Sequence, residues 1–144
     1  MTSVADALQM LGQRARKGQS AERAAREIVR KGLPARVVDR LADAFGASAD
    51  EILALIGLSR ATGYRQKARS GAGLRAVHSD RAFRLARVMT LAQSVLEDDQ
   101  NAREWFREPN RALQGERPID LLDTETGTEQ VVRALNQLEH GIYT

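Results

Sequence analysis

Apolar residues recur along this chain at intervals of three and four, the spacing that keeps them on one face of an α-helix. Val4, Leu8 and Leu11 begin the pattern, and Gly12 with Lys17-Gly18-Gln19-Ser20 interrupts it. Ser20 is placed to cap a second helix carrying Ala24, Ile28 and Val29, which Gly32 can end in a left-handed exit before Leu33 and Pro34. From Pro34, the residues Val37, Val38, Leu41 and Phe45 share one face as far as Gly46. Ser48-Ala49-Asp50-Glu51 reads as a capping box, opening a helix with Ile52, Leu53 and Ile56 inside.

Gly57 stops that helix after about two turns. Ser59 can cap the next, a polar and basic stretch from Arg60 to Arg69 that runs into Ser70-Gly71-Ala72-Gly73. Ser79 is the expected cap of a longer helix from Asp80 to about Glu97, whose apolar residues Phe83, Leu85, Ala86, Val88, Met89, Ala92, Val95 and Leu96 spread widely enough to predict burial on several sides. Asp98-Asp99 starts a helix through Trp105 and Phe106 that Pro109 ends, and Asn110 to Gly115 forms one more turn. Pro118 begins a short segment to Leu122. Thr126-Gly127-Thr128-Glu129 is the expected cap of a last helix with Val131, Val132, Leu135 and Leu138, ending at Gly141.

No alternation of apolar and polar residues lasts long enough for a sheet, and Ala, Leu, Arg, Glu and Gln dominate. The expected fold class is all-α. The chain lacks cysteine, which excludes disulfides and thiolate chemistry. Its uncharged runs fall far short of the roughly 20 apolar residues a membrane helix needs. No membrane association and a cytoplasmic location are therefore expected. Charge divides sharply: residues 1–90 hold 17 Lys/Arg against 8 Asp/Glu, whereas residues 91–144 hold 5 against 11. A basic half and an acidic half imply two surfaces for two partners, one of them a polyanion.

Residues 49–68 have the spacing of a helix-turn-helix, with Ile52, Leu53, Ile56 and Leu58 in the core and Gly57 at the turn. A second helix laid in the major groove offers Ser59, Arg60, Ala61, Tyr64 and Arg65 to base edges, and an arginine can grip a guanine with two hydrogen bonds. Lys67, Arg69 and Arg75 follow as phosphate neutralisers. Gly63 departs from this motif, occupying a position usually filled by a branched aliphatic residue. Either the helix is loose there or a neighbour approaches closely, and a rotated helix would make Tyr64 core.

Gly32-Leu33-Pro34, Gly57-Leu58-Ser59-Arg60-Ala61-Thr62 and Ser79-Asp80-Arg81 running into Leu85-Ala86-Arg87-Val88 resemble the Xre-like N-terminal domain of Xre/MbcA/ParS-type antitoxins. The second half resembles that family's toxin-binding domain at Ala102, Trp105, Pro109-Asn110, Ala112-Leu113, Gly115, Pro118, Asp120-Leu121-Leu122, Thr124-Glu125, Gly127, Val131, Leu135 and Leu138-Glu139 with Gly141. The resemblance implies a helix-turn-helix N-terminal domain followed by a small helical toxin-binding domain. The boundaries expected are an N-terminal helical extension at 1–30, the Xre-like region at 31–78, a linking helix at 79–97 and the toxin-binding domain at 98–144. It further implies a stoichiometric inhibitor that covers the active site of a RES-domain toxin, an enzyme that consumes NAD or uses it for ADP-ribosyl transfer, and a complex that represses its own operator DNA.

A cleft built for NAD is positively charged, so an acidic inhibitor would be steered toward it. Gly141, Ile142, Tyr143 and Thr144 are the expected toxin-binding residues, with Tyr143 as aromatic anchor and the terminal carboxylate standing in for a phosphate. The alternative is that these residues fray or fold back on Trp105. Trp105, Pro109, Leu113, Leu121 and Leu122 are expected in the core. His78 and His140 read as solvated, without metal-ligand spacing, and the neighbouring carboxylates read as helix N-terminal charge, so no cofactor and no catalysis are expected. A repressor reading two half-sites would be at least a homodimer, with the N-terminal apolar helices and the broad apolar surface of 79–97 as candidate interfaces. Two rival readings remain: a helix-turn-helix regulator without a toxin partner, its C-terminal half dimerising or sensing a ligand, and an interaction module that has lost DNA binding.

Overall fold

The computed structural model describes residues 4–68 and 73–141. The chain is all-α: α1 (Val4–Met10), α2 (Ala21–Lys31), α3 (Val37–Phe45), α4 (Ala49–Ile56), α5 (Arg60–Ala68), α6 (Ala76–Leu96), α7 (Asp99–Arg107) and α8 (Glu125–Glu139), with single 3₁₀ turns at Arg111–Leu113 and Pro118–Leu121 between the last two. Among the described residues the sole extended pairing is an isolated antiparallel bridge between Pro34 and Gly73.

Local chemistry sets most of these boundaries. The Ser20 hydroxyl accepts the Arg23 N–H at 3.1 Å. Ser48 and Glu51 form the full capping box, each side chain accepting the other's backbone N–H. Asp98 accepts the Asn101 N–H at 2.8 Å. Two caps differ from expectation. The last helix is capped by Thr124, not Thr126: its hydroxyl accepts the Gly127 N–H at 2.9 Å. Gly127 is buried there, with no room for a side chain, because a Cβ would run into the Leu121 carbonyl. The long helix begins at Ala76, so Ser79 lies within its first turn instead of capping it.

Ser79 is fully buried, and its hydroxyl has a tertiary task. It accepts the Leu33 N–H at 2.9 Å and donates to the Leu74 carbonyl at 3.3 Å. The Leu74 N–H in turn donates to the Leu33 carbonyl at 2.7 Å. One side chain thus fastens the α2–α3 turn, the segment before α6, and α6 itself. A Cβ on Gly32 would collide with the Leu74 carbonyl, and its φ of +108° is one that side-chain-bearing residues rarely adopt.

α6 is the axis on which α1, α2, α3, α4, α7 and α8 pack. Ala82, Leu85, Ala86, Val88, Met89 and Ala92 are all at most 2% exposed, so the breadth of its apolar surface reflects burial within one chain. Most of that surface is core, and of the residues expected on it Phe83, Val95 and Leu96 stay half-buried. Most of the buried apolar side chains from Ala7 to Leu135 belong to one cluster that crosses the expected boundaries, while Leu8, Ala24 and Ala25 form a smaller one between α1 and α2. Phe45 of α3 meets Phe106 of α7 edge-on with ring centroids 5.0 Å apart, and Trp105 packs on Phe106 at 5.1 Å. Beside this aromatic joint, Arg103 donates to the Ala44 carbonyl at 3.3 Å, and Arg107 bonds both carboxylate oxygens of Glu51 at 3.2 and 3.3 Å.

Glu51 therefore closes the α4 cap and ties α4 to α7. Burial pushes its carboxyl up, but the Ser48 N–H and Arg107 together outweigh that and hold it below the usual carboxylate range. A lowered folded-state pKa contributes stability that is complete above the ordinary glutamate range and is lost as the pH falls through the lowered value. Glu51→Gln should cost about 0.5–1 kcal/mol at pH 7, a modest figure because both partners are over a third exposed. The difference from the parent chain should shrink in urea denaturation as the pH falls below the ordinary glutamate range. Ser79→Ala strands the buried Leu33 N–H and should cost about 1–3 kcal/mol, read as a lowered urea midpoint with an unchanged slope.

Candidate functional site

The helix-turn-helix turns at Gly57, whose φ of +82° is left-handed. Ile52, Leu53, Ile56 and Leu58 are buried as expected. The last carbonyl of α4, that of Ile56, is exposed by the turn and needs donors. α6 supplies them: His78 Nδ1 lies 2.7 Å from the Ile56 oxygen and Arg81 donates to it at 3.3 Å. A carbonyl only accepts, so His78 carries its proton on Nδ1 in this contact. His78 is thus a half-buried clamp and not a solvated histidine, whereas His140 is exposed at the end of α8. A side chain on Gly57 would collide with the Arg81 guanidinium.

Gly63 is buried, and a Cβ there would lie 2.5 Å from Leu53 Cδ2 and 2.7 Å from Cδ1. Leu53 of α4 thus fills the volume that the second helix leaves empty. Of the two explanations offered by the sequence, the close neighbour is the correct one. α5 keeps its outer face turned outward, and Tyr64 is 41% exposed and not core.

The side chains expected to meet DNA are partly engaged inside the chain. Ser59 caps α5 by accepting the Thr62 N–H at 3.1 Å and donates to the Thr62 hydroxyl at 2.9 Å. Tyr64 donates its phenol to Asp50 at 3.1 Å, and Arg60 approaches the same carboxylate at 3.6 Å. Lys67 pairs with Asp39 of α3 at 2.8 Å. Arg60 and Lys67 both lie over the Tyr64 ring, at 5.8 and 5.5 Å from its centroid. Ala61 is exposed, and among the described residues the exposed Arg65 reaches the Thr62 hydroxyl alone, at 3.2 Å. Arg69 lies outside the described residues.

Sequence reasoning missed Asp39 and Asp50 as part of this surface. Asp50 was legible only as a capping-box residue, and Asp39 was one charge on an amphipathic helix. Nothing in their spacing announces that α5 folds over both. Together they make Arg65 the cation of α5 that holds no carboxylate among the described residues, while Arg60 and Lys67 must exchange an internal partner for an external one.

The second half extends the core shared with the first half. Leu113, Ile119, Leu122, Val131 and Leu135 are buried, Trp105 and Leu121 are half-buried, and Pro109, expected in the core, is exposed. Asn110 organises the first 3₁₀ turn, its side chain accepting the Ala112 N–H at 2.9 Å while its backbone bonds Gly115 and Glu116. Arg117 clasps Asp120 with two bonds of 2.9 Å, and the Asp120 carboxylate holds the guanidinium pKa above its ordinary value. Glu116, Asp123, Glu125, Glu129 and Glu139 face solvent. Among the described residues no group of His, Asp and Glu could hold a metal ion. Gly141 leaves α8 at a φ of +70°, exposed, while Ile142, Tyr143 and Thr144 lie outside the described residues.

Residues 24–87 match the model of the antitoxin Xre-like helix-turn-helix domain, and residues 91–141 match that of the antitoxin Xre/MbcA/ParS C-terminal toxin-binding domain. The antitoxin Xre of Photorhabdus laumondii is 30% identical over 116 residues, covering 80% of this chain and 78% of that protein. A protein of a Sphingobium species named Prs ADP-ribosylating antitoxin is 31% identical over 125 residues, covering 81% and 78%. In fold, the chain is similar to a chain of the M. tuberculosis MbcT–MbcA toxin–antitoxin complex, with a TM-score of 0.57 and 23% identity over 76% of this chain and 96% of that one. By its matches in both halves and by these relatives, this chain belongs to the Xre/MbcA/ParS family of antitoxins, with an Xre-like helix-turn-helix in its first half and a C-terminal toxin-binding domain in its second.

Proposed function

We propose that this chain neutralises a RES-domain, NAD-consuming toxin by covering its active site, and that it represses its own operon as a cytoplasmic homodimer through α5. The observation that carries the reading is the order of the two matched domains along one chain, built on a continuous core. The net charge of −6 over residues 91–144 supports it, because an NAD-binding cleft must offset phosphate charge. Gly141 is exposed at the end of α8, as a residue that meets a toxin must be, which supports the role of residues 141–144. The antitoxin acts as an inhibitor, and no catalytic step is assigned to it.

In the operator complex, Arg65 reads a base and Lys67 holds a phosphate after releasing Asp39. Arg65→Ala should weaken operator binding by about 10- to 100-fold, the range of one bidentate base contact of about 1–3 kcal/mol, while leaving scrambled duplex nearly unaffected. Mobility shifts at two salt concentrations measure both. Deleting residues 141–144 should abolish growth rescue when the chain is co-expressed with the product of the adjacent toxin gene, with the urea midpoint unchanged. Full rescue by the truncated chain would refute insertion of that segment, and failure of the intact chain to rescue would refute the toxin assignment.

A further inference from the structure

The basic excess of the first half is not concentrated on α5. Residues 13–40 hold nine Lys/Arg against three Asp/Glu. Two of those three acids are engaged: Glu27 bonds Arg23 and Gln19, and Asp39 bonds Lys67. The Lys67–Asp39 pair fixes where this charge lies, because it joins the C-terminal half of α5 to the first turns of α3. On α3, Arg36 and Arg40 lie three residues before and one after Asp39, on the same side of a helix of 3.6 residues per turn. Both are exposed.

Arg40 reaches the loop after α1. Its guanidinium lies across Gly12, where a Cβ would sit 2.7 Å from Cζ and where φ is +73°. Glycine at this position lets the guanidinium lie on the loop backbone. Beyond it, Arg14, Arg16 and Lys31 line a cavity of about 360 Å³ that ends at Gly32 and Pro34, just before α3. Among the described residues, no carboxylate is within ion-pair distance of Arg14, Arg36 or Arg40.

We infer that Arg36, Arg40 and Arg14 form a second phosphate-contacting surface for duplex DNA, continuous with α5 through Lys67, so that the N-terminal extension lengthens the footprint of the helix-turn-helix along the backbone. This rests on the DNA-binding reading of α5. Duplex DNA is favoured over an acidic protein because the patch adjoins the recognition helix through a direct contact, and because a regular line of phosphates matches cations spread over the loop after α1, α3 and α5. These contacts add affinity and salt dependence without reading sequence.

The test is fluorescence anisotropy of the full chain on a duplex from upstream of its gene and on a scrambled duplex, across a salt series. Arg14→Gln, Arg36→Gln and Arg40→Gln should each flatten the slope of log K against log salt by about 1, equally on both duplexes, so that the operator preference is kept. Arg133→Gln, on the exposed face of α8, removes the same charge and should leave the slope unchanged. Urea denaturation of each variant identifies any that fails to fold, and Arg36→Gln and Arg14→Gln carry the test if Arg40→Gln disturbs the Gly12 loop. Unchanged slopes in these variants, with tight binding by the parent chain, would overturn the inference alone. Absence of binding by the parent chain at every salt concentration would overturn it together with the DNA reading beneath it.

Discussion

Burial of the broad apolar surface of α6 is the constraint from which the rest of this structure follows. Six helices pack on it, and its apolar residues serve both halves of the chain at once. A 144-residue chain split into two separate domains would have to build two small cores, and small cores bury a lower fraction of their surface. Sharing one helix avoids that cost. It also explains why the polar groups along α6 are spent on its neighbours: Ser79 on the turn before α3, and His78 and Arg81 on the carbonyl that ends α4. The helix-turn-helix is thereby held from behind by the same helix on which α8 rests.

This arrangement gives the charge asymmetry a structural meaning. The basic half is not a uniformly positive surface, since Asp39 and Asp50 sit within its recognition helix's reach and hold Lys67, Arg60 and Tyr64. Such exposed pairs contribute little to stability, so their larger effect is on what α5 presents to a polyanion. Internal carboxylates lower non-specific attraction and leave discrimination to contacts that can displace them, a form of specificity by competition. The acidic half has the opposite character: its carboxylates largely face solvent, apart from the Arg117–Asp120 clasp that orders the turn before α8.

Much of this was legible in the sequence because it is local. Capping residues, helix-ending glycines and three-four spacing mark the helices, and the ordered residues from Ala102 to Gly141 carry the family resemblance without reference to packing. What was not legible depends on long-range approach. Ser79 and Thr126 both resemble caps, yet one hydroxyl is claimed by Leu33, 46 residues away, and the other helix starts two residues earlier, where Gly127 can meet Leu121. Gly63 reads as a defect in its helix from sequence alone, yet Leu53 occupies the space it leaves. His78 looked solvated because nothing in its neighbours reveals that the Ile56 carbonyl is 2.7 Å away.

The claim on which the account turns is that the helix-turn-helix half and the toxin-binding-domain half form one cooperative unit around α6. Hydrogen exchange followed helix by helix through a urea series tests it most directly, because it reports the opening free energy of each segment separately. The account predicts that α3 and α4 on one side and α7 and α8 on the other converge on the same opening free energy as global unfolding is approached. An α7–α8 unit that opens several kcal/mol below α3–α4, with its own midpoint, would contradict it.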